Sequence, residues 1–199
     1  MGVSYGANAR DSLERDDRAW AMSTLDEKAL TEVWDQHLAA EFGTKSSEQA
    51  LATMGPNPIV HHVPVMTGGI GREQVSEFYS KCLLPQFAAD VETTPISRTV
   101  GQGRIVDEFV ARFTHSIQMD WLLPGIPPTG KRLEIAFVVV VQFENGKIVN
   151  ERIYWDQASV LAQAGLIDRS LPVLGAESAQ QVRQPVQPFN ELLRRARTR

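Results

Sequence analysis

The sequence predicts an α+β fold in which three N-terminal helices pack on a curved antiparallel sheet. Apolar residues recur every three or four positions in three segments between residues 24 and 84, which is typical of amphipathic helices. β-branched and aromatic residues then dominate the segments 91–100, 104–119, 132–144 and 147–156. Helices first and strands afterwards, without regular alternation, indicate α+β rather than a wound α/β sheet.

The three helices are bounded by recognisable start and stop signals. Thr24 to Glu27 (TLDE) matches a capping box, and the apolar positions that follow it continue to Gly43. A second helix is expected over 47–54, before the turn-forming sequence GPNP. A third is expected over 72–84, because Pro85 cannot continue it.

The strands are separated by glycine-containing turns. Asn145-Gly146 is a strong hairpin signal, because both residues tolerate the positive φ of a two-residue turn. Gly101-Gln-Gly103 is expected to close the preceding hairpin. A last short helix is predicted over 158–164, and Gly165 would end it.

Length and composition predict a single core domain with two extensions. The chain has 199 residues, which suits one hydrophobic core, and we place the domain at 23–168. Residues 1–22 are charged and lack periodicity, so they are expected to form an extension. Residues 169–199 are rich in proline and arginine and are expected to be a solvated tail, with contact to an acidic partner surface as the alternative.

Charge, apolar run length and cysteine content exclude several classes of function. A net charge of −4 argues against nucleic-acid binding, which requires clustered positive charge. The longest apolar run covers residues 135–141, too short to cross a membrane. The single cysteine, Cys82, cannot form an intramolecular disulfide, so a cytoplasmic location is expected.

Several short strings occur in an order that resembles a known family. They are His62-Val-Pro64 followed by Gly68-Gly69, Phe113-Thr-His115, Pro127-Pro-Thr-Gly-Lys131, Asn145-Gly-Lys-Ile148 and Glu151-Arg-Ile-Tyr-Trp-Asp156. Together with the element order, they resemble the SnoaL-like polyketide cyclases of the nuclear transport factor 2-like superfamily, which has the cystatin-like cone fold. The resemblance covers about residues 24–168.

The resemblance implies a cone with an internal apolar pocket and a homodimer that forms through the outer face of the sheet. It also implies that Asp156, in the family's Trp-Asp motif, is the catalytic base, and it favours His62 as the histidine in the pocket. Members of the superfamily isomerise, cyclise, dehydrate or open epoxides, or only bind ligands, so fold alone leaves the reaction open.

The residues themselves give two interpretations of Asp156. A carboxylate at the end of an apolar strand, beside aromatic residues, would be partly desolvated, which raises its pKa toward that of a useful base. Aspartate is also a preferred N-cap, and a helix is predicted to begin near Ala158. Strand alternation places Asp156 in a polar row with Arg152 and Tyr154.

Four histidines are candidates for proton transfer or ligand contact. His115 shares an apolar strand face with Phe113, so it is either a satisfied core residue or a catalyst. His61 and His62 point to opposite sides of an extended segment, so one of them is expected to line the pocket. His37 lies on the apolar stripe of the first helix. No spacing typical of metal ligands occurs, and no metal or cofactor is predicted.

The remaining pocket candidates are aromatic or lie in one long loop. Trp34, Trp121 and Trp155 are expected to form apolar walls, and Tyr79 is a possible hydroxyl donor. The apolar, proline-rich loop 119–131 is interpreted as a lid or a dimer contact, and its Asp120 is a second carboxylate candidate.

The sequence therefore predicts a domain that binds a small apolar ligand, for example an aromatic or polycyclic carbonyl compound. If it is an enzyme, it is expected to be a cofactor-free isomerase or cyclase, with Asp156 as base and His62 or His115 as donor to the enolate oxygen. The alternative is a non-catalytic ligand-binding or dimer-scaffold domain of the same fold.

Overall fold

The computed structural model describes residues 27–168, 170–186 and 188–197. The helices are α1 (Glu27–Leu38), α2 (Ser47–Ala52), α3 (Gly71–Phe78), α4 (Gln157–Gln163), α5 (Glu177–Arg183) and α6 (Glu191–Arg197). The strands are β1 (Met54–His62), β2 (Thr67–Ile70), β3 (Glu92–Gly101), β4 (Arg104–Thr114), β5 (Arg132–Glu144) and β6 (Lys147–Tyr154). The predicted extension 1–22 and the capping residue Thr24 lie outside the described residues.

The six strands form one sheet in the order β2-β1-β6-β5-β4-β3. Every neighbouring pair is antiparallel except β1 and β6, which run parallel. Both hairpin predictions are confirmed, because Asn145 and Gly146 have φ of 50° and 73° and Gln102 and Gly103 have φ of 51° and 68°. The helices α1 and α3 pack against the sheet, as the predicted α+β class requires.

The prediction of a turn at residues 55–58 is wrong, since this stretch lies inside β1. The register between β1 and β6 shifts between Met54 and Ile59, so the two prolines sit where the ladder is interrupted. Proline is tolerated in a strand at such an irregularity because no ladder hydrogen bond is lost there.

Two of the helices continue into a wider, π-helical turn. A first π-helical segment, Ala39–Thr44, follows α1 directly. A second, Tyr79–Leu83, follows α3, and a 3₁₀ turn over Leu84–Gln86 completes the third predicted helix. The apolar periodicity gave the extent of these helices but not the change of helical type.

The C-terminal segment is more ordered than the expected solvated tail. Ala179 of α5 is only 1% exposed, and α5 contacts β3, β4 and β5. The Arg183 Nε atom lies 3.2 Å from Glu134 Oε1 on β5. The tail interpretation is therefore wrong for α5, whereas α6 has no buried residue. None of the helices in the described ranges is long and apolar enough to span a membrane.

Candidate functional site

A small cavity of about 70 Å³ lies between the helices and the concave side of the sheet. Most of its lining is aliphatic or aromatic, from Val60 on β1 to Phe137 and Val139 on β5. Four ionisable side chains also line it, namely Glu41, His62, Tyr79 and Glu151. The cavity is thus an apolar chamber with a few polar groups, which is typical of a small-molecule site.

Three of these ionisable groups meet around His37, and we call His37, Glu41, Tyr79 and Glu151 the buried cluster. His37 Nε2 lies 3.2 Å from Glu41 Oε1, 3.2 Å from the Tyr79 hydroxyl and 3.6 Å from Glu151 Oε2. The Tyr79 hydroxyl donates to Glu151 Oε2 at 3.3 Å. All four residues are buried, and Glu41, the most exposed of them, is 5% exposed.

The other nitrogen of His37 has a fixed role. Thr53 Oγ1 donates its proton to the carbonyl of Ala50 at 2.6 Å. Its contact with His37 Nδ1 at 2.7 Å therefore requires Nδ1 to be the donor. This hydrogen bond holds the ring with Nε2 facing the two glutamates.

The two π-helical segments supply two members of the buried cluster. Glu41 lies in the first segment and Tyr79 begins the second. A π-helical turn contains an extra residue, which changes the direction of the following side chains, and such turns are frequent at functional sites. The local helical type is thus part of how the cluster is assembled.

Glu151 reaches the cluster because of strand alternation on β6. Glu151, Ile153 and Trp155 are buried, whereas Tyr154 and Asp156 are exposed. Side chains alternate between the two sheet faces, so Glu151 points to the concave side.

Burial and mutual charge alter the proton affinities of the cluster. Burial by itself lowers the pKa of His37, but the charges of Glu41 and Glu151 and the hydrogen bonds to them outweigh it and raise the pKa to about 10. Burial, followed by the neighbouring Glu41, raises the pKa of Glu151. Burial, then the charges of Glu151 and Glu41, raises the pKa of Tyr79 well above its ordinary value. At neutral pH His37 is therefore an imidazolium and Tyr79 a neutral phenol.

His62 also lines the cavity, but its environment differs from that of His37. Its ring makes edge contacts with Phe78, Trp121 and Trp155, at centroid distances of 5.4, 5.7 and 5.6 Å. Burial lowers the pKa of His62 to about 4, so the ring is neutral at physiological pH. Its Nδ1 atom is buried and has no hydrogen-bond partner among the described residues.

The donor atoms of His37, Glu41 and Glu151 lie within 4.8 Å of one another, a grouping that also suits a metal ion. No metal-binding pattern was visible in the sequence, because Glu151 lies far along the chain from the His37–Glu41 pair. The separations of 3.2–3.3 Å between the polar atoms of His37, Glu41, Tyr79 and Glu151 are those of ordinary hydrogen bonds.

Asp156 lies outside the cavity, on the surface. Its Oδ1 accepts hydrogen bonds from the backbone N–H groups of Ala158 and Ser159 at 2.9 and 3.1 Å, which is N-cap geometry for α4. The side chain is exposed. This position does not support the predicted role as catalytic base, and the cap interpretation accounts for Asp156 completely.

His115 organises a loop and does not line the cavity. Its backbone bonds to Lys131 and Gly130, and its Nδ1 accepts from the N–H of Thr129 at 3.3 Å. Burial lowers its pKa. The ring closes the base of the 119–131 loop, and the structure gives it no contact with the cluster.

Two other predicted site residues have similar local roles. Asp120 accepts from Gly125 N–H at 2.9 Å and from the side-chain amides of Gln118 and Gln86, so it shapes the loop. His61 is half-buried on β1 and does not line the cavity. Neither residue contributes a group to the chamber.

The predicted tryptophan walls are present in part. Trp34 and Trp121 line the cavity, and Trp34 donates its indole N–H to Asp107 at 2.8 Å. Trp155 packs behind His62 without lining the chamber. Residues 121–123 of the loop are buried, so the part of the expected lid that carries Trp121 is a packed wall.

Glu41 and Glu151 are the site residues that sequence reasoning missed. Glu151 stands in the same string as Asp156, and alternation from the buried Trp155 would have placed it on the inner face. Glu41 is four residues after His37, a spacing that brings side chains together on a helix. Both signals were present but were not connected to a cavity.

Comparison with known proteins assigns the chain to a family. The family model for the SnoaL-like polyketide cyclases matches residues 28–164, and the chain belongs to this family. Among curated proteins, none matches the sequence significantly.

Solved structures show the same nuclear transport factor 2-like fold. A putative SnoaL-like polyketide cyclase from Jannaschia sp. CCS1 is 17% identical, with a TM-score of 0.57, over 74% of this chain and 99% of that one. An NTF2-like protein of unknown function from Burkholderia pseudomallei is 22% identical, with a TM-score of 0.53, over 72% and 98%. TerC, co-crystallised with polyporic acid, is 16% identical, with a TM-score of 0.51, over 69% and 98%.

Proposed function

We propose that this protein is an enzyme that moves a proton at a carbon atom next to the carbonyl group of a small, largely apolar molecule. The observation that carries the proposal is the position of the buried cluster at an otherwise apolar cavity. Burying several ionisable groups is costly, and apolar residues of similar size would serve folding as well or better. Perturbed ionisable groups in a cleft are typical of catalytic sites.

Glu151 is the proposed base. It lines the cavity, and its raised pKa brings a carboxylate closer to the operating pH, which favours general-base catalysis. Its carboxylate takes the proton from the carbon, and the C–H electron pair passes into the enolate. Return of the proton at another carbon is isomerisation. Attack of the enolate carbon on a second carbonyl closes a ring, and the proton held by Glu151 then passes to the alkoxide that this attack forms.

Tyr79 is the proposed donor to the enolate oxygen. It lines the cavity, and its raised pKa keeps the phenol protonated, so it can donate a hydrogen bond as negative charge develops. His37 does not line the cavity and is a positioning residue, because it holds Glu41, Tyr79 and Glu151 together. His62 offers the unpaired Nδ1 as an acceptor for a polar ligand group.

A non-catalytic ligand-binding domain is the second candidate. One observation favours it: the cluster residues already hydrogen-bond to one another, so they satisfy each other without a ligand. The co-crystal of TerC with polyporic acid supports small-molecule binding for this fold.

We propose that two copies pair through the convex face of the sheet and that the protein acts in the cytoplasm. On that face α5 already covers the end of β5 near Glu134, so the pairing surface would lie beside it, around Val106 and Tyr154, both partly exposed. Sedimentation of the purified chain tests the pairing.

Deuterium exchange tests the proposed reaction without knowledge of the natural substrate. The protein is dialysed against a chelator and incubated in D₂O with 2-butanone or phenylacetone, and loss of the α-proton signals is followed by NMR. We expect exchange above the buffer rate, reduced at least about 100-fold in Glu151→Gln.

Asp156→Asn is the matched control, because it also replaces a carboxylate by its amide, but at an exposed position. Asparagine is a good N-cap residue, so the helix cap is kept. We expect it to retain the wild-type exchange rate. Equal rates in wild type and Glu151→Gln would overturn the catalytic proposal and favour the binding domain. Exchange that is absent after dialysis against the chelator and appears when Zn²⁺ or Mn²⁺ is added would instead make the cluster a metal site.

A further inference from the structure

A wide groove on the surface borders the small cavity. Its volume is about 700 Å³, against about 70 Å³ for the cavity. Four residues line both spaces, namely Leu38, Phe42, Thr93 and Phe109, and we call the boundary that they form the throat. The Phe42 ring at this throat is 40% exposed, which is high for a large apolar side chain beside a cavity.

The inner cavity is too small for the polycyclic ligand that the sequence suggested. An apolar cavity of about 150 Å³ holds one benzene ring, so about 70 Å³ holds only a short acyl or alkyl group. A ligand that places its carbonyl beside Glu151 must therefore extend its remaining atoms through the throat.

The groove offers this remainder a largely apolar surface, because its basic and acidic lining residues, Arg98 and Asp107, form an ion pair. Arg98, its basic residue, donates to Asp35 at 2.7 Å and to the two oxygens of Asp107 at 3.1 and 2.8 Å. Ser97 donates to Glu108 at 3.1 Å. These polar groups already pair with one another, and the rest of the lining includes Ala39, Pro95 and Ile96.

We propose that the groove is a second binding subsite, which takes the apolar, uncharged tail of an elongated ketone whose carbonyl end enters the inner cavity. This inference rests on the proposed function for the carbonyl end and adds the class of the substrate. Neutral ketones with a hydrocarbon tail meet both requirements, whereas compact polycyclic ketones and charged ligands do not.

Gly43 provides a way to block the groove without touching the cavity. It lines the groove only, and a Cβ atom built there meets nothing within 4 Å. Gly43→Leu therefore adds a side chain to the groove. Gly43→Ala adds only a methyl group and serves as the smaller change at the same position. Glu48→Leu, which places the same side chain on the exposed surface of α2, is the control for added hydrophobicity.

The experiment measures Kd for 2-butanone, 2-octanone and 2-undecanone by calorimetry with the wild type and these variants. In the wild type we expect each methylene that enters the groove to tighten binding, up to roughly four-fold per group. In Gly43→Leu we expect 2-undecanone to bind at least about ten-fold more weakly, with 2-butanone unchanged. Glu48→Leu should behave as the wild type, and circular dichroism confirms that each variant is folded.

Each outcome separates this inference from the proposed function. Affinity that does not rise beyond 2-butanone, or 2-undecanone binding unaffected by Gly43→Leu, overturns the groove subsite, even where Glu151-dependent exchange is observed. The expected length dependence without any Glu151-dependent exchange supports the subsite and overturns the catalytic role. Absence of binding by all three ketones overturns the ketone ligand and the subsite together.

Discussion

Glu151 and Asp156 are five residues apart in the sequence, yet the fold gives them opposite environments. Glu151 is buried among His37, Glu41 and Tyr79 beside a cavity. Asp156 is exposed and accepts two backbone hydrogen bonds as a helix cap. A carboxylate in this segment is therefore a candidate base or a structural cap according to its position. Glu151 lies on the buried face of β6, whereas Asp156 follows the end of the strand and caps α4.

Removing the cation from the buried cluster should have the largest effect on stability. His37→Ala leaves two carboxylates close together without their shared imidazolium, and loss of one partner from a buried charged set costs about 3–5 kcal/mol. Urea unfolding at neutral pH measures the change. A loss below that of Asp156→Ala would contradict the contrast between cluster and cap.

The pH dependence of stability should also distinguish the two regions. The pKa of His37 is raised from 6.5 to about 10, so the folded state holds this proton more tightly than the unfolded chain. The resulting stabilisation is fully present below pH 6.5, decreases as pH rises, and is lost by about pH 10.

Because one pKa unit corresponds to about 1.4 kcal/mol, we expect a loss of several kcal/mol between these limits. Unfolding in urea at a series of pH values measures it. Asp156→Asn should show the same slope as the wild type, and His37→Ala a flatter one. An unchanged slope in His37→Ala would contradict the assignment.

Loss of the hydroxyl that orients His37 should have an intermediate effect. Thr53→Val removes the acceptor of His37 Nδ1 and keeps a similar shape, which leaves a buried donor unpaired at a cost of about 1–3 kcal/mol. The imidazole chemical shifts in NMR should report a reoriented or neutral ring. Thr31→Val, at an exposed threonine on α1, is the control.

Loss of the helix cap should have the smallest effect. Asp156→Ala removes the acceptor for two N–H groups at the start of α4, which costs about 1 kcal/mol. The change is measured by urea unfolding, and Asp156→Asn should restore most of the loss. Deuterium exchange that vanishes in Asp156→Ala, in a folded protein, would return the catalytic role to Asp156.

The elements and the site differed in how far sequence could predict them. Local patterns such as Asn145-Gly146 and the apolar spacing of α1 depend on neighbouring residues, and the structure confirms them. The turn predicted from the two prolines before Ile59 was wrong, because the hydrogen-bond ladder between β1 and β6 is interrupted there and a strand can include them. The cluster combines side chains from α1, β6 and two π-helical segments. The His37–Glu41 spacing is a local signal, but the contacts of this pair with Tyr79 and Glu151 join residues far apart in the sequence.

Local sequence patterns were sufficient to predict the α+β class, most strand positions and the family. The tertiary structure was needed to show that Glu151, and not Asp156, faces the chamber, and that Glu41 lines it in contact with the buried His37. Alternation divides a strand into two faces, but it does not reveal where the strand ends and a helix cap begins. Burial by the other elements then decides which carboxylate loses its water and changes its proton affinity.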